Sequence, residues 1–103
     1  MIRVIYRWQV QPGQEDTFVA AWTQGTRAIR SMIKGAQGSV LLRSQQQPVQ
    51  FIAMAQWDSL ADWQAFSHQA LPDDDAMHRL SEVSSLIATE VCDEIHDLVN
   101  DGV

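Results

Sequence analysis

Between Pro48 and Phe66 the chain reads PVQFIAMAQWDSLADWQAF, and the spacing of its apolar residues changes midway. Val49, Phe51, Ala53, Ala55 and Trp57 alternate with Gln50, Ile52, Met54 and Gln56, the period of a β-strand. Beyond it Leu60, Trp63 and Phe66 recur at three, the period of a helix face. Asp58 or Ser59 caps that helix, and Ser59-Leu60-Ala61-Asp62 forms a capping box; the helix is expected to fade near Ala70. The first strand face is wholly apolar, and the second is apolar at its centre, at Ile52 and Met54. A strand apolar on both faces needs cover on both. One layer of helices supplies one cover, and 103 residues are too few for a second layer. The pattern therefore predicts that another copy of the chain covers the other face.

The remaining elements follow from the same two periods. Ile2, Val4, Tyr6, Trp8 and Val10 alternate with Arg3, Ile5, Arg7 and Gln9, a strand with one fully apolar face. Pro12-Gly13 ends it as a turn. Phe18, Ala21, Trp22, Gly25, Ile29, Met32 and Ile33 then predict an amphipathic helix. Glu15 and Asp16 suit its N-terminal end and Lys34 its C-terminal end; Gly35 closes it. Its opposite face carries Gln24, Arg27 and Arg30. Gly25 costs about 1 kcal/mol against Ala in mid-helix, which points to close packing there. GSVLLRS, residues 38–44, predicts a second strand, joined to the third by Gln45-Gln46-Gln47-Pro48. Pro72 and Asp73-Asp74-Asp75 open a further helix, faced by Met77, Leu80, Val83 and Leu86-Ile87. In the tail, apolar spacing fits both a continued helix and a strand, and a strand over 90–98 is the more compact choice. The order β-α-β-β-α-(α)-β gives an α+β chain of ferredoxin-like, split βαβ type.

Composition narrows the partners. Residues 1–103 are expected to form one domain, 46% of it hydrophobic, with seven basic and thirteen acidic residues and a net charge of −6. That balance argues against nucleic acid and anionic membrane as partners. No apolar run approaches the roughly 18–20 residues of a membrane span. MIRVIYRW opens on a strand pattern without a signal-peptide layout. The single cysteine, Cys92, leaves no internal disulfide and no multi-cysteine metal site. A cytoplasmic location is the expectation.

VIYRWQVQPGQEDTFVAAW, GSVLLRS and FIAMAQWDSLADWQAF together resemble the antibiotic biosynthesis monooxygenase domain of the dimeric α/β-barrel superfamily. The resemblance spans nearly the whole chain. It implies a four-stranded antiparallel sheet that pairs face to face with a second copy across a two-fold axis, and a strand in the tail. It also implies chemistry. Some members oxidise polyketide quinols with molecular oxygen and no bound cofactor, relatives bind or degrade haem, and others process small metabolites. Better understood oxygenases of this kind use an Asn on the first strand, a Trp on the second helix and, in some cases, a His beyond it. By position the Asn site falls on Tyr6, where this chain departs from the family. The Trp site falls nearest Phe66, with Trp63 one turn before it, and the His corresponds to His78 or His68.

These residues define a candidate site. Trp8, Trp22, Trp63 and Phe66 are expected to line an apolar pocket for a flat aromatic ligand; the plainer alternative is that they are core packing. Tyr6, mid-strand on the helix-facing side, is the candidate to orient or deprotonate the ligand; otherwise its hydroxyl bonds a core group. His78 is the candidate catalytic base and His68 a further ligand contact, the alternative being solvated surface histidines. Their spacing around the three aspartates matches no metal site. Trp57 could instead lie at the dimer seam, and Arg3 and Arg7 could pair with carboxylates of the second copy. The expected function is that of a homodimeric, cofactor-independent monooxygenase acting on a small aromatic or quinol-like metabolite. The alternatives are a non-catalytic binding protein for an apolar molecule and a haem-binding or haem-degrading protein.

Overall fold

The computed structural model describes residues 1–69 and 73–99. Their order is β1 (Ile2–Val10), α1 (Glu15–Met32), β2 (Ala36–Arg43), β3 (Gln50–Trp57), α2 (Leu60–Ser67), α3 (Asp74–Val83) and β4 (Ser84–Asp93). The strands form one antiparallel sheet in the order β2-β3-β1-β4. This is the split βαβ arrangement, its helices gathered on one face. None of the helices among the described residues is long and apolar enough to cross a membrane.

Register explains which side chains meet. Val4, Tyr6 and Trp8 of β1 pair with Ala55, Ala53 and Phe51 of β3. Ser39 and Leu41 of β2 continue those rows opposite Ala55 and Ala53. All of these face the helices, where Val10, Phe18, Ala21, Phe51 and Leu80 form the main core. Phe18 is fully buried, worth ~1.5–3 kcal/mol in removal from water. Ile2, Val4 and Trp57 form a second cluster towards α2. Trp57 is 3% exposed and packs on Phe66 at 5.0 Å, so it belongs to the helix side of the sheet and not to the open face.

The helix ends follow local chemistry. Ser59 caps α2 by accepting a hydrogen bond from Asp62 N at 3.1 Å. Asp73 caps α3 through Ala76 N at 3.0 Å. The same carboxylate accepts from Gln24 Nε2 at 2.7 Å, and Gln24 Oε1 accepts from Arg79 at 3.0 Å. Gln24, expected on a solvated face, thus ties α1 to α3. Gly25 is buried where α1 meets α3, and the Met77 methyl occupies the space a Cβ on it would take. Gly35 takes the left-handed backbone at φ 84° just beyond α1. The expected fading of α2 near Ala70 and the opening of α3 by Pro72 lie outside the described residues.

Two expectations are corrected. The last strand is Ser84–Asp93, not 90–98. Leu86 and Ile87 leave the helical pattern because the outer edge of β1 requires hydrogen-bond partners along its whole length, and pairing already starts at Val10 with Ser84. The Ser84 hydroxyl donates to Leu80 O at 2.6 Å at the end of α3. The β1–β4 register shifts once: Arg7 pairs with Ala88 and Trp8 with Leu86, leaving Ile87 as the surplus residue of a bulge. The second correction concerns Arg3, which pairs inside its own chain, with Glu94 at 2.7 Å and Asp97 at 3.0 Å.

The face away from the helices carries Ile5, Ile52, Met54, Val40 and Leu42. Val40 is 54% and Leu42 44% exposed. No element among the described residues covers this apolar strip.

Candidate functional site

A cavity of about 300 Å³ lies between the sheet and the helices. Its floor is Ala53 and Ala55 of β3, whose small side chains leave room under α1. Tyr6 and Trp8 of β1 rise beside that floor, and Trp22 and Ile29 of α1 form the roof. Phe66 closes one end, and Met77, Leu80 and Leu86 the other walls. The tryptophans do not fill the hollow.

Tyr6 brings a phenol to the aromatic side of the cavity. Its hydroxyl oxygen accepts a hydrogen bond from Trp63 Nε1 at 3.0 Å. The phenol proton is therefore left to donate elsewhere. Tyr6 and Trp8 stack with ring centres 5.7 Å apart, and Trp8 meets Phe18 edge to face at 5.4 Å. Burial pushes the Tyr6 phenol above the usual value, and the Trp63 hydrogen bond offsets part of that rise. The group is a hydrogen-bond donor at neutral pH and not a base.

The structure brings Tyr6, Trp8, Trp22 and Phe66 to one cavity. Trp63 stands behind Tyr6 and orients it rather than forming the wall. His78 and His68 are placed elsewhere. His78 has a 76% exposed side chain and pairs with Glu82 one turn on, at 3.1 Å. It borders a shallow surface hollow with Asp74 and Asp75. His68 is the exposed residue that ends α2. The phase of α3 decides the position of His78: Met77 and Leu80 turn inward, which turns His78 out.

Sequence reasoning missed Thr26, Arg30 and Ser39, which also line the cavity. Arg30 is exposed, as its place on the polar face of α1 implies, but its stem lies across Gly38 and reaches the cavity wall. The available signal was the spacing Trp22, Thr26, Arg30, four residues each, a single stripe of the helix. Ser39 had none beyond its parity with Leu41. Among the described residues the wall offers neither imidazole nor thiolate. No cluster of three or more metal-ligating side chains occurs among the described residues.

The chain is an α+β protein of ferredoxin-like type with an aromatic-walled cavity under its helices, and a family model narrows that class. Residues 1–78 match the model of the antibiotic biosynthesis monooxygenase family, and the chain belongs to that family. No curated protein matches it by sequence. Among solved structures it is similar to a proposed antibiotic biosynthesis monooxygenase of Bordetella bronchiseptica, with 21% identity over 92% of this chain and 97% of that one and a TM-score of 0.79. It is similar to SnoaB, a cofactor-independent oxygenase of Streptomyces nogalater, with 16% identity over 95% and 96% and a TM-score of 0.77. A proposed antibiotic biosynthesis monooxygenase of Caulobacter crescentus shares 14% identity over 92% and 90%, with a TM-score of 0.78. At these identities the likeness is one of fold.

Proposed function

We propose that the protein is a cofactor-independent monooxygenase acting on a small aromatic or quinol-like molecule held in this cavity. The observation that carries the reading is the Trp63–Tyr6 hydrogen bond of 3.0 Å at the edge of an aromatic-walled hollow. It fixes a phenol that lines the cavity and keeps its own proton free to donate to a substrate oxygen. In such a reaction the deprotonated substrate is itself the reductant of molecular oxygen: one oxygen atom ends in the product and the other in water. Tyr6 stabilises the developing negative charge on the substrate oxygen, and the apolar walls exclude water. Among the described residues the wall contains no carboxylate or imidazole, so the substrate enters already deprotonated, its proton left in bulk solvent. Family membership supports the reaction class, and the cofactor-independent relative supports the absence of a bound group.

Two further parts belong to the reading. Two chains pair through the open sheet face, whose apolar strip is the natural cover for itself. The location is cytoplasmic, in keeping with the free thiol of Cys92.

Oxygen uptake with dihydroxyanthracene or related quinols, without added metal or flavin, tests the function. Turnover that falls roughly a hundredfold in Tyr6→Phe is the expected result. One observation favours a second reading, a non-catalytic binding protein: among the described residues the wall carries no carboxylate or imidazole, and burial holds the Tyr6 phenol protonated at neutral pH. Tight binding of the same quinols with no oxygen uptake in the unmodified protein would decide for it.

A further inference from the structure

Away from Tyr6 the cavity has a second polar corner, built by α1 and the start of β2. Thr26 and Arg30, one turn apart on α1, share it with Gly38 and Ser39. Among the described residues Arg30 is the only charged one in the wall, and no carboxylate accompanies it there. Among the described residues Arg30 has no hydrogen bond and no ion pair, in a chain with thirteen acidic residues. Its side chain is laid against the backbone of Gly38: a Cβ at that position would come 3.3 Å from Arg30 Cδ and 3.5 Å from Nε.

Beside it, the Ser39 hydroxyl is buried with no hydrogen-bond partner. Ser39 pairs with Ala55, on the sheet face that floors the cavity. A buried hydroxyl without a partner is costly and uncommon. An unpaired guanidinium and an unpaired hydroxyl on one corner describe a receptor for an acceptor-rich, negatively charged group.

We propose that the ligand of this cavity is an aromatic carboxylate. Its ring lies among Trp8, Trp22 and Phe66, its carboxylate meets Arg30 and Ser39 with Thr26 beside them, and an oxygen at its far end meets Tyr6. The spacing suits a fused-ring acid. Tyr6 lies opposite Ala53 and Ser39 opposite Ala55, two strands apart and one row out of line. At ~4.8 Å between strands and ~3.3 Å per residue, the two backbones are roughly 12 Å apart. This assignment rests on the cavity being the ligand site, as in the proposed function, but not on any reaction occurring there.

The test uses quenching of the intrinsic tryptophan fluorescence by hydroxynaphthoate and by the matching neutral hydroxynaphthamide. The acid is expected to bind roughly tenfold tighter. Arg30→Gln, at an exposed position, should erase that advantage and leave amide affinity unchanged. Ser39→Ala should weaken the acid several-fold while leaving the thermal midpoint of the ligand-free protein equal or higher, since it removes an unpartnered hydroxyl; a purely structural serine would lower it. Equal binding of acid and amide would overturn the assignment while leaving the cavity as the site. Binding of neither would overturn both. Acid preference without any oxygen uptake would uphold this assignment and remove the monooxygenase reading alone.

Discussion

Tyr6 is the only tyrosine in the chain, so its ionisation can be followed by tyrosinate absorbance without interference. Burial raises its folded-state value, the Trp63 hydrogen bond reducing the rise, whereas the unfolded phenol titrates near pH 10. The stability linked to this proton is therefore complete below about pH 10 and is lost as pH rises through the folded value. The absorbance midpoint should lie above the ordinary phenol range in the native protein and return to it in denaturant. Tyr6→Phe should abolish that alkaline loss and, by leaving the Trp63 indole N–H unpaired, lower unfolding free energy at pH 7 by about 1 kcal/mol. Denaturant titrations at neutral and alkaline pH check both. Much of this residue-level picture was legible: strand parity alone put Tyr6 and Trp8 on the helix side, and helical spacing put Trp22 and Phe66 opposite. His78 was not, because a resemblance can suggest a histidine but only the phase of α3 shows that Met77, its neighbour, takes the inward position. Arg30 was missed because a charged residue on an amphipathic helix reads as solvated, although its long stem can lie over a glycine and reach a cavity.

The helices meet through small residues. Gly25→Ala gains about 1 kcal/mol of helix preference and requires only that the Met77 methyl, the tip of a flexible side chain, move aside. Stability should therefore change by less than about 1 kcal/mol. Because Met77 also lines the cavity, ligand affinity should change several-fold in the same variant. Thermal unfolding and fluorescence titration of this one protein separate the two effects. At this scale the three strands before residue 70 and α1 were readable to within a residue or two, since each carries one clean period; the start of α2 was read at Leu60, but it ends at Ser67, short of the expected fading near Ala70. The stretch from Leu80 to Val91 was not: Leu80, Val83 and Ile87 fit a helix, while Leu86 and Val91 differ in parity yet face the same side of the sheet. Period cannot describe a strand that contains a bulge.

For the whole molecule, the open sheet face is the main unsolved surface of a single chain. Val40, Met54 and Ile5 form one row across β2, β3 and β1, with Glu90 of β4 at its end. If two copies meet here, Met54→Asp places a carboxylate at the centre of the contact, where burial without a partner costs several kcal/mol. Sedimentation should show a dimer for the unmodified protein and a folded monomer for the variant, with native-like circular dichroism in both. A stable monomer of the unmodified protein at micromolar concentration would refute the pairing. That an apolar strip lies on the face away from the helices was legible from Ile52 and Met54 alone; the internal pairing of Arg3 was not, because it depends on Glu94 and Asp97, which follow the last strand.

The bulge in β4 has a consequence of its own. Shortening the chain there by Ile87 alone would leave Leu86 on the cavity side and Val91 opposite Val4, so every retained neighbour keeps its orientation. What disappears is the irregularity of a ten-residue outermost strand that carries several exposed aliphatic groups. An unbroken strand in that position is an open template for any stray backbone. The surplus residue thus guards solubility, and a deletion harmless to the hollow beneath it would be paid in precipitate.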